Sequence, residues 1–250
     1  MDTSGDEGLN RIGPEEEEEK KRSREICFDG CGRPSSVCIC PYLPPSPIPT
    51  STRVLVLHHP HELRRNRLAT LPVLKRSLLH LHSLPGRRLH PSSSPLLPSP
   101  SSTPLLLFPS PNSTPLSLWA SQNPPLSRKN LVLIVLDGTW AQAKEMAAAS
   151  APFLSSIAAT HVSLGMDESV EGESPFESDL VLKKEPFKGC VSTLEAVARA
   201  LRVLEPDENV GVEVEEVLLR ILRAMVGFQK SYLKPVKPRP RLIKNAASIV

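Results

Sequence analysis

Leu131-Val-Leu-Ile-Val-Leu136 is an unbroken run of branched apolar residues, and it ends on Asp137-Gly138-Thr139-Trp140. A strand with one wet face alternates apolar and polar side chains. A run without alternation needs cover on both faces, as a parallel sheet between helices provides. This segment therefore points the chain towards an α/β fold, and it puts a carboxylate at the carboxyl end of a buried strand.

The rest of the chain supplies partners for that strand. Arg53 to His58 reads as a second strand, Leu105 to Phe108 as a third and Thr160 to Leu164 as another. Leu63 to His82 carries Leu68, Leu71, Leu74, Leu78, Leu79 and Leu81 at roughly helical spacing, which predicts an amphipathic helix with an early break near Pro72. Trp140 to Ala149 is Ala-rich and helical. Ser192-Thr-Leu-Glu195 has the pattern of a capping box and opens a helix that stops before Pro206. A last helix is expected over about Glu213 to Leu233. Alternating strands and helices predict a mostly parallel sheet between helices.

Around this core, expected over 53–233, lie four other stretches. Residues 1–25 are acidic, lack periodicity and read as a disordered tail. Residues 26–41 hold the cysteines, and Pro41 to Pro49 reads as an extended linker. Residues 91–126 form a Ser/Pro-rich loop, and 234–250 a basic tail.

Four of the five cysteines, Cys27, Cys31, Cys38 and Cys40, follow the spacing C-x3-C-x6-C-x-C among Gly30, Gly32 and Pro34. Four thiolates held this close can close a tetrahedral zinc site, and such a site is structural because it keeps no open position. No run approaches the ~20 apolar residues of a membrane span, and the acidic start fits neither a secretory signal nor a transit peptide. The expected setting is a reducing one, cytosol or nucleus, with no membrane and no obligate protein partner.

Charge is segregated. Arg64, Arg65, Arg67, Lys75 and Arg76 form one basic block, and beyond position 216 every charged side chain is Lys or Arg, including Lys234, Lys237, Arg239 and Arg241. Two such blocks beside a metal knuckle suit a nucleic-acid backbone. Solvated faces or an import signal are the plainer alternative.

Asp137 has two readings. A carboxylate at the end of a central strand lies at the crevice where open α/β sheets bind ligands. The same four letters also describe a capped strand-to-helix turn with a packed tryptophan. His58-His59-Pro60-His61-Glu62 reads as a binding loop rather than a metal site, because Pro60 denies it the helical spacing of H-E-x-x-H.

Four motifs taken together resemble the DTW-domain family: the Cys cluster with Arg33-Pro34 and Cys38-Ile-Cys40, the loop His59-Pro60-x-Glu62, D-G-T-W followed by Ala141-Gln-Ala-Lys144, and Gly189-Cys-Val-Ser-Thr-Leu-Glu-Ala196. They stand in family order over about residues 27–205. The resemblance implies a knotted, SPOUT-like fold and tRNA-uridine aminocarboxypropyltransferase activity. It implies S-adenosylmethionine as donor and N3 of a tRNA uridine as acceptor, with methylthioadenosine released. It makes Asp137, Thr139 and Trp140 the catalytic candidates, and His59, Pro60, Glu62, Gly189, Ser192, Thr193 and Glu195 the donor-binding ones. Lys183-Lys184 stands where the family usually shows arginine. Two rivals remain: a zinc-knuckle RNA-binding protein without catalysis, and a SPOUT-type RNA methyltransferase.

Overall fold

A computed structural model describes residues 25–61, 70–97, 101–164 and 191–232 of the chain. Its strands are β1 Arg53–His58, β2 Leu81–Pro85, β3 Thr103–Leu107, β4 Thr114–Pro115, β5 Leu131–Asp137 and β6 Thr160–Ser163. Its helices are α1 Leu71–Ser77, α2 Leu116–Gln122, α3 Trp140–Ser156, α4 Thr193–Leu204 and α5 Glu208–Tyr232. The strands form one sheet in the order β2-β1-β5-β3-β6-β4, and every pair is parallel.

Side-chain parity builds the layers. Val54, Val56, Leu105, Leu107, Leu131, Leu133 and Val135 pack on one face with α1, α2, α4 and α5. Leu55, Leu57, Leu106, Val132, Ile134 and Leu136 pack on the other with α3 and with Leu89, Leu96 and Leu97. The unalternating run 131–136 is thus a strand covered on both sides, buried at all six positions.

The chain leaves β1 outward to β2, whereas it leaves β5 in the opposite direction, to β6 beyond β3. The β1/β5 boundary is therefore the switch point, where the crevice of an open parallel sheet lies. The mostly parallel α/β sheet expected from the sequence is present. The knotted, SPOUT-like refinement depends on how β6 connects to α4 through 165–190, which lies outside the described residues.

Several sequence expectations need correction. The helix expected over Leu63 to His82 is helical only from Leu71 to Ser77 among the described residues, and Leu81 already belongs to β2. Pro72 does not break this helix; it sits in the first turn, where its missing N–H has no intrahelical partner to lose. The proline segment 41–49 is not a free linker. Ile48 is buried and bridges Leu78, its N–H donating to Ser77 O at 2.8 Å and its carbonyl accepting from Leu79 N at 3.0 Å.

The stretch 91–126 holds β3, β4 and α2 rather than loop alone, and Leu96 and Leu97 are core residues. The last helix starts at Glu208, five residues before the expected Glu213. Gly211 lies in its first turns because the backbone of α4 is so close. A Cβ there would sit 3.0 Å from the Arg202 carbonyl oxygen.

Two charged side chains, Arg128 half-buried and Glu205 buried, tie the elements together. The Arg128 guanidinium donates to Asn123 O at 2.6 Å, Val203 O at 2.7 Å and Ala120 O at 2.8 Å, so one cation satisfies the carbonyl ends of both α2 and α4. Glu205 accepts from the N–H groups of Ser51 at 2.8 Å and Thr52 at 2.9 Å, which anchors the chain as it enters β1. No helix among the described residues is long and apolar enough to cross a membrane.

Candidate functional site

The carboxyl ends of β1 and β5 meet in register, with His58 beside Asp137, and His59 N–H donates to the Asp137 carbonyl at 2.8 Å. Gly138 lets the two loops approach: a Cβ on it would lie 3.4 Å from the Cβ of His59 and 3.1 Å from Gln142 Oε1. Thr139 then caps α3 reciprocally. Its N–H donates to Gln142 Oε1 at 2.8 Å, and its hydroxyl accepts from Gln142 N at 3.3 Å. This is a complete capping box, with glutamine in the glutamate position.

The second half of the site comes from α4. Ser192 caps it, accepting from Glu195 N at 3.2 Å, and the Thr193 hydroxyl donates to Asp137 Oδ1 at 2.6 Å. That short, charge-assisted bond fixes one carboxylate oxygen against the start of a helix 56 residues away in sequence. It also brings two helix N-termini, those of α3 and α4, to the same carboxylate, where their positive ends favour negative charge. Trp140 stands half-buried with Phe108, which follows β3, their ring centroids 6.2 Å apart.

Among the residues expected from sequence, His59, Pro60, Asp137, Thr139, Trp140, Ser192 and Thr193 lie at this one edge of the sheet. His59 is buried, and its Nδ1 accepts from His61 N–H at 3.4 Å. Glu195 was expected to reach back in a capping box and to touch the donor. Its side chain is wholly buried and pairs with Arg199 at 2.7 Å, one helical turn on. Glu62 and Gly189 lie outside the described residues, as do Arg64, Arg65, Arg67, Lys183, Lys184, Lys234, Lys237, Arg239 and Arg241. Lys75 and Arg76 are exposed side by side on α1.

The sequence did not reveal the Thr193–Asp137 bond, because nothing local links positions so far apart. Gln142 was detectable as the third residue after a Thr cap. Phe108 carried no signal of its own.

The cysteines converge independently of this edge. The Sγ atoms of Cys27, Cys31, Cys38 and Cys40 all lie within 4.8 Å of one another, with Cys27–Cys40 and Cys31–Cys38 each at 3.7 Å. Four thiolates around an ion with bonds of about 2.3 Å stand about 3.8 Å apart, so the set fits a tetrahedral metal. Gly30 is required at its place, since a Cβ there would collide with Cys27 Sγ and Cys40 Sγ. Gly32 turns the loop at φ +69°.

The thiols differ in acidity. Burial opposes ionisation of Cys31, but hydrogen bonds from the backbone at Ile39 and Arg33 and from Cys38 and Cys40 lower it to about 7. Burial, with hydrogen bonds to Cys27 and Cys38, pushes Cys40 up to about 12. Ligation needs thiolates, so an ion entering this set displaces protons. The knuckle docks on α5 through Arg33, whose guanidinium reaches Met225 Sδ at 3.7 Å, and through Tyr42, edge-on to Phe228 at 6.2 Å.

An open parallel α/β domain, with a polar cluster at its switch point and a four-cysteine knuckle on the last described helix, belongs to the class that binds ligands at the carboxyl edge of its sheet. The particular family follows from comparison. The DTW domain profile matches residues 24–230, and the chain belongs to the DTW domain family. It is 44% identical to "tRNA-uridine aminocarboxypropyltransferase A" of Arabidopsis thaliana, covering 92% of this chain and 90% of that protein. It is 29% identical to "tRNA-uridine aminocarboxypropyltransferase 2" of Macaca fascicularis, over 86% of this chain and 67% of the relative. The protein of the same name from Drosophila melanogaster is also 29% identical, over 87% of each chain. No solved structure matches at comparable significance.

Proposed function

We propose that this chain transfers the 3-amino-3-carboxypropyl group of S-adenosylmethionine to N3 of a tRNA uridine and releases methylthioadenosine. The observation that carries this reading is the 44% identity, across nearly the whole of both chains, to a protein named for that transfer. The geometry supports it with a chemically suitable edge.

A neutral uridine is a poor nucleophile at N3, so a base must take its proton. Asp137 is that base: Thr193 holds Oδ1, which leaves Oδ2 to meet the acceptor. Trp140, with Phe108 behind it, offers a plane on which an unstacked base can lie. Ser192, Thr193, His59 and Pro60 line the donor side, and Glu62 and Gly189 join them by family resemblance. Glu195 acts from beneath, holding the first turn of α4. Bound S-adenosylmethionine would supply a carbon activated by the adjacent sulfonium, and the protein's part is to hold that carbon in line with N3.

The four cysteines would hold zinc in a closed, structural site that takes no part in the transfer. Lys75 and Arg76, with the basic residues that flank the described segments, would follow the tRNA backbone in the cytosol or nucleus. The all-parallel sheet and the family resemblance support a SPOUT-like, knotted core.

One assay tests the reading: purified protein, S-adenosylmethionine and total tRNA, with the nucleoside by-product identified. Methylthioadenosine is expected. Adenosylhomocysteine would make the protein a methyltransferase, and tRNA binding with neither by-product would make it a binding protein.

A further inference from the structure

β1 ends on a histidine that the scheme above leaves unused. His58 is 3% exposed, and its Nδ1 is buried with no hydrogen-bond partner among the described residues. Buried polar atoms are nearly always paired, so one left alone at the end of a strand that feeds a catalytic crevice calls for a role. Its place is informative. His58 is the register partner of Asp137, and paired residues of adjacent strands share a face of the sheet. That face is the one covered by α1 and α4, from which Thr193 already binds Oδ1.

Among the described residues, two charged groups act on His58. Asp137 comes from β5 and Lys75 from α1. β2 is followed by Gly86, whose N–H donates to the His58 carbonyl at 3.0 Å. Burial holds the imidazole below its ordinary pKa and Lys75 adds to that effect, while Asp137 and the nearby His59 backbone oppose it. The ring is thus a neutral base beside a carboxylate.

We propose, on the reading of Asp137 given above, that His58 is a positioning residue that acts through Asp137 by accepting the proton the carboxylate withdraws. The N3–H bond breaks, and its proton passes to the free oxygen of Asp137 and on to neutral His58. The N3 electron pair forms the new C–N bond as the C–S bond breaks, and that bonding pair leaves on sulfur as neutral methylthioadenosine. His58 then returns the proton to solvent.

The test is the single-turnover rate against pH for wild type, His58→Asn and Asp137→Asn. Wild type should lose rate on the acid side, below the ordinary histidine value of about 6.5. His58→Asn keeps polar atoms near Nδ1 but cannot take a proton. It should run roughly 10- to 100-fold slower on the plateau and lack that acid limb, with tRNA affinity unchanged. A His58→Asn rate and profile matching wild type, beside a crippled Asp137→Asn, would overturn this inference alone. An Asp137→Asn protein of normal rate would overturn the base reading and this inference with it. Should His58→Asn fail to fold, histidine NMR titration decides the matter. Removing the Asp137 charge should lower the His58 pKa further, and an unmoved titration overturns the coupling.

Discussion

The two polar centres of this protein are held by different means. Asp137 is fixed by what surrounds it: six buried residues of β5 before it, the capping box of α3 after it and the Thr193 hydroxyl across from it. Take away any ligand and that scaffold remains, because its stability lies in apolar burial on both faces of the sheet. The knuckle has no such interior. Its four cysteines are all partly exposed, and only Ile39 of the segment is deeply buried. The centre suited to chemistry rests on a preformed sheet, while the centre suited to architecture has four cysteines that could hold a metal ion in place of an interior.

The largest expected effect breaks the knuckle and spares the sheet. Cys38→Ser with Cys40→Ser, or chelation of wild type, should remove about 10 kcal/mol of metal-linked folding from residues 26–41. Elemental analysis should find no zinc, and limited proteolysis should open that segment. Gly30→Ala should do the same with all four ligands intact, because its Cβ would occupy the space of two sulfurs. If either variant unfolds the sheet as well, the two centres are one cooperative unit and the contrast fails.

Asp137→Asn is expected to do the reverse. Shape is kept and the carboxylate is lost; if it is the base, single-turnover transfer should fall by roughly 10²–10⁴-fold with the melting temperature nearly unchanged. A folded variant that transfers at the wild-type rate would reduce Asp137 to a turn residue.

Thr193→Val should give a smaller effect. It removes one hydrogen bond to a charged group, worth about 1.5–3 kcal/mol, and lets Oδ1 turn. A drop of about tenfold in rate at unchanged tRNA affinity would show that α4 orients the base; no drop would leave the hydroxyl a mere cap. The smallest effect concerns Lys75 and Arg76. Replacing both with Gln should lower the salt slope of tRNA binding by about 0.7–0.9 for each phosphate that is no longer neutralised, and leave donor binding alone.

Much of this contrast was legible in the letters, for reasons that differ by region. β5 announced itself because a strand buried on both faces must be apolar at every position, and the cysteines did so because metal ligation is a spacing problem. Leucine periodicity misled at Leu63 to His82. Leucines at 78 and 81 fit a helical face equally well, and the strand pairing that captures Leu81 is set by β1, not by local sequence.

β3 was half hidden by Pro104, a residue that argues against a central strand. The structure tolerates it because Thr103 N–H points to Asn130 O, which turns the Pro104 nitrogen to the other side, where pairing with β6 begins only at Leu105. Arg128, Glu205 and the Thr193–Asp137 bond were beyond reach, since each joins positions that only the finished fold brings together.

That distance has a consequence for how the molecule is made. Arg33 meets Met225 across 192 residues, and Glu205 grips Ser51 across 154. A ribosome delivers the thiol knuckle before its docking helix, so Arg33 must wait through the 192 residues to Met225 for its seat. Parallel pairings of this kind also close large loops before any pairing energy is released, which slows assembly. Early capture of an ion would let the knuckle form locally while the sheet is still incomplete, so metal supply during translation should govern the yield of soluble protein more than its final stability does.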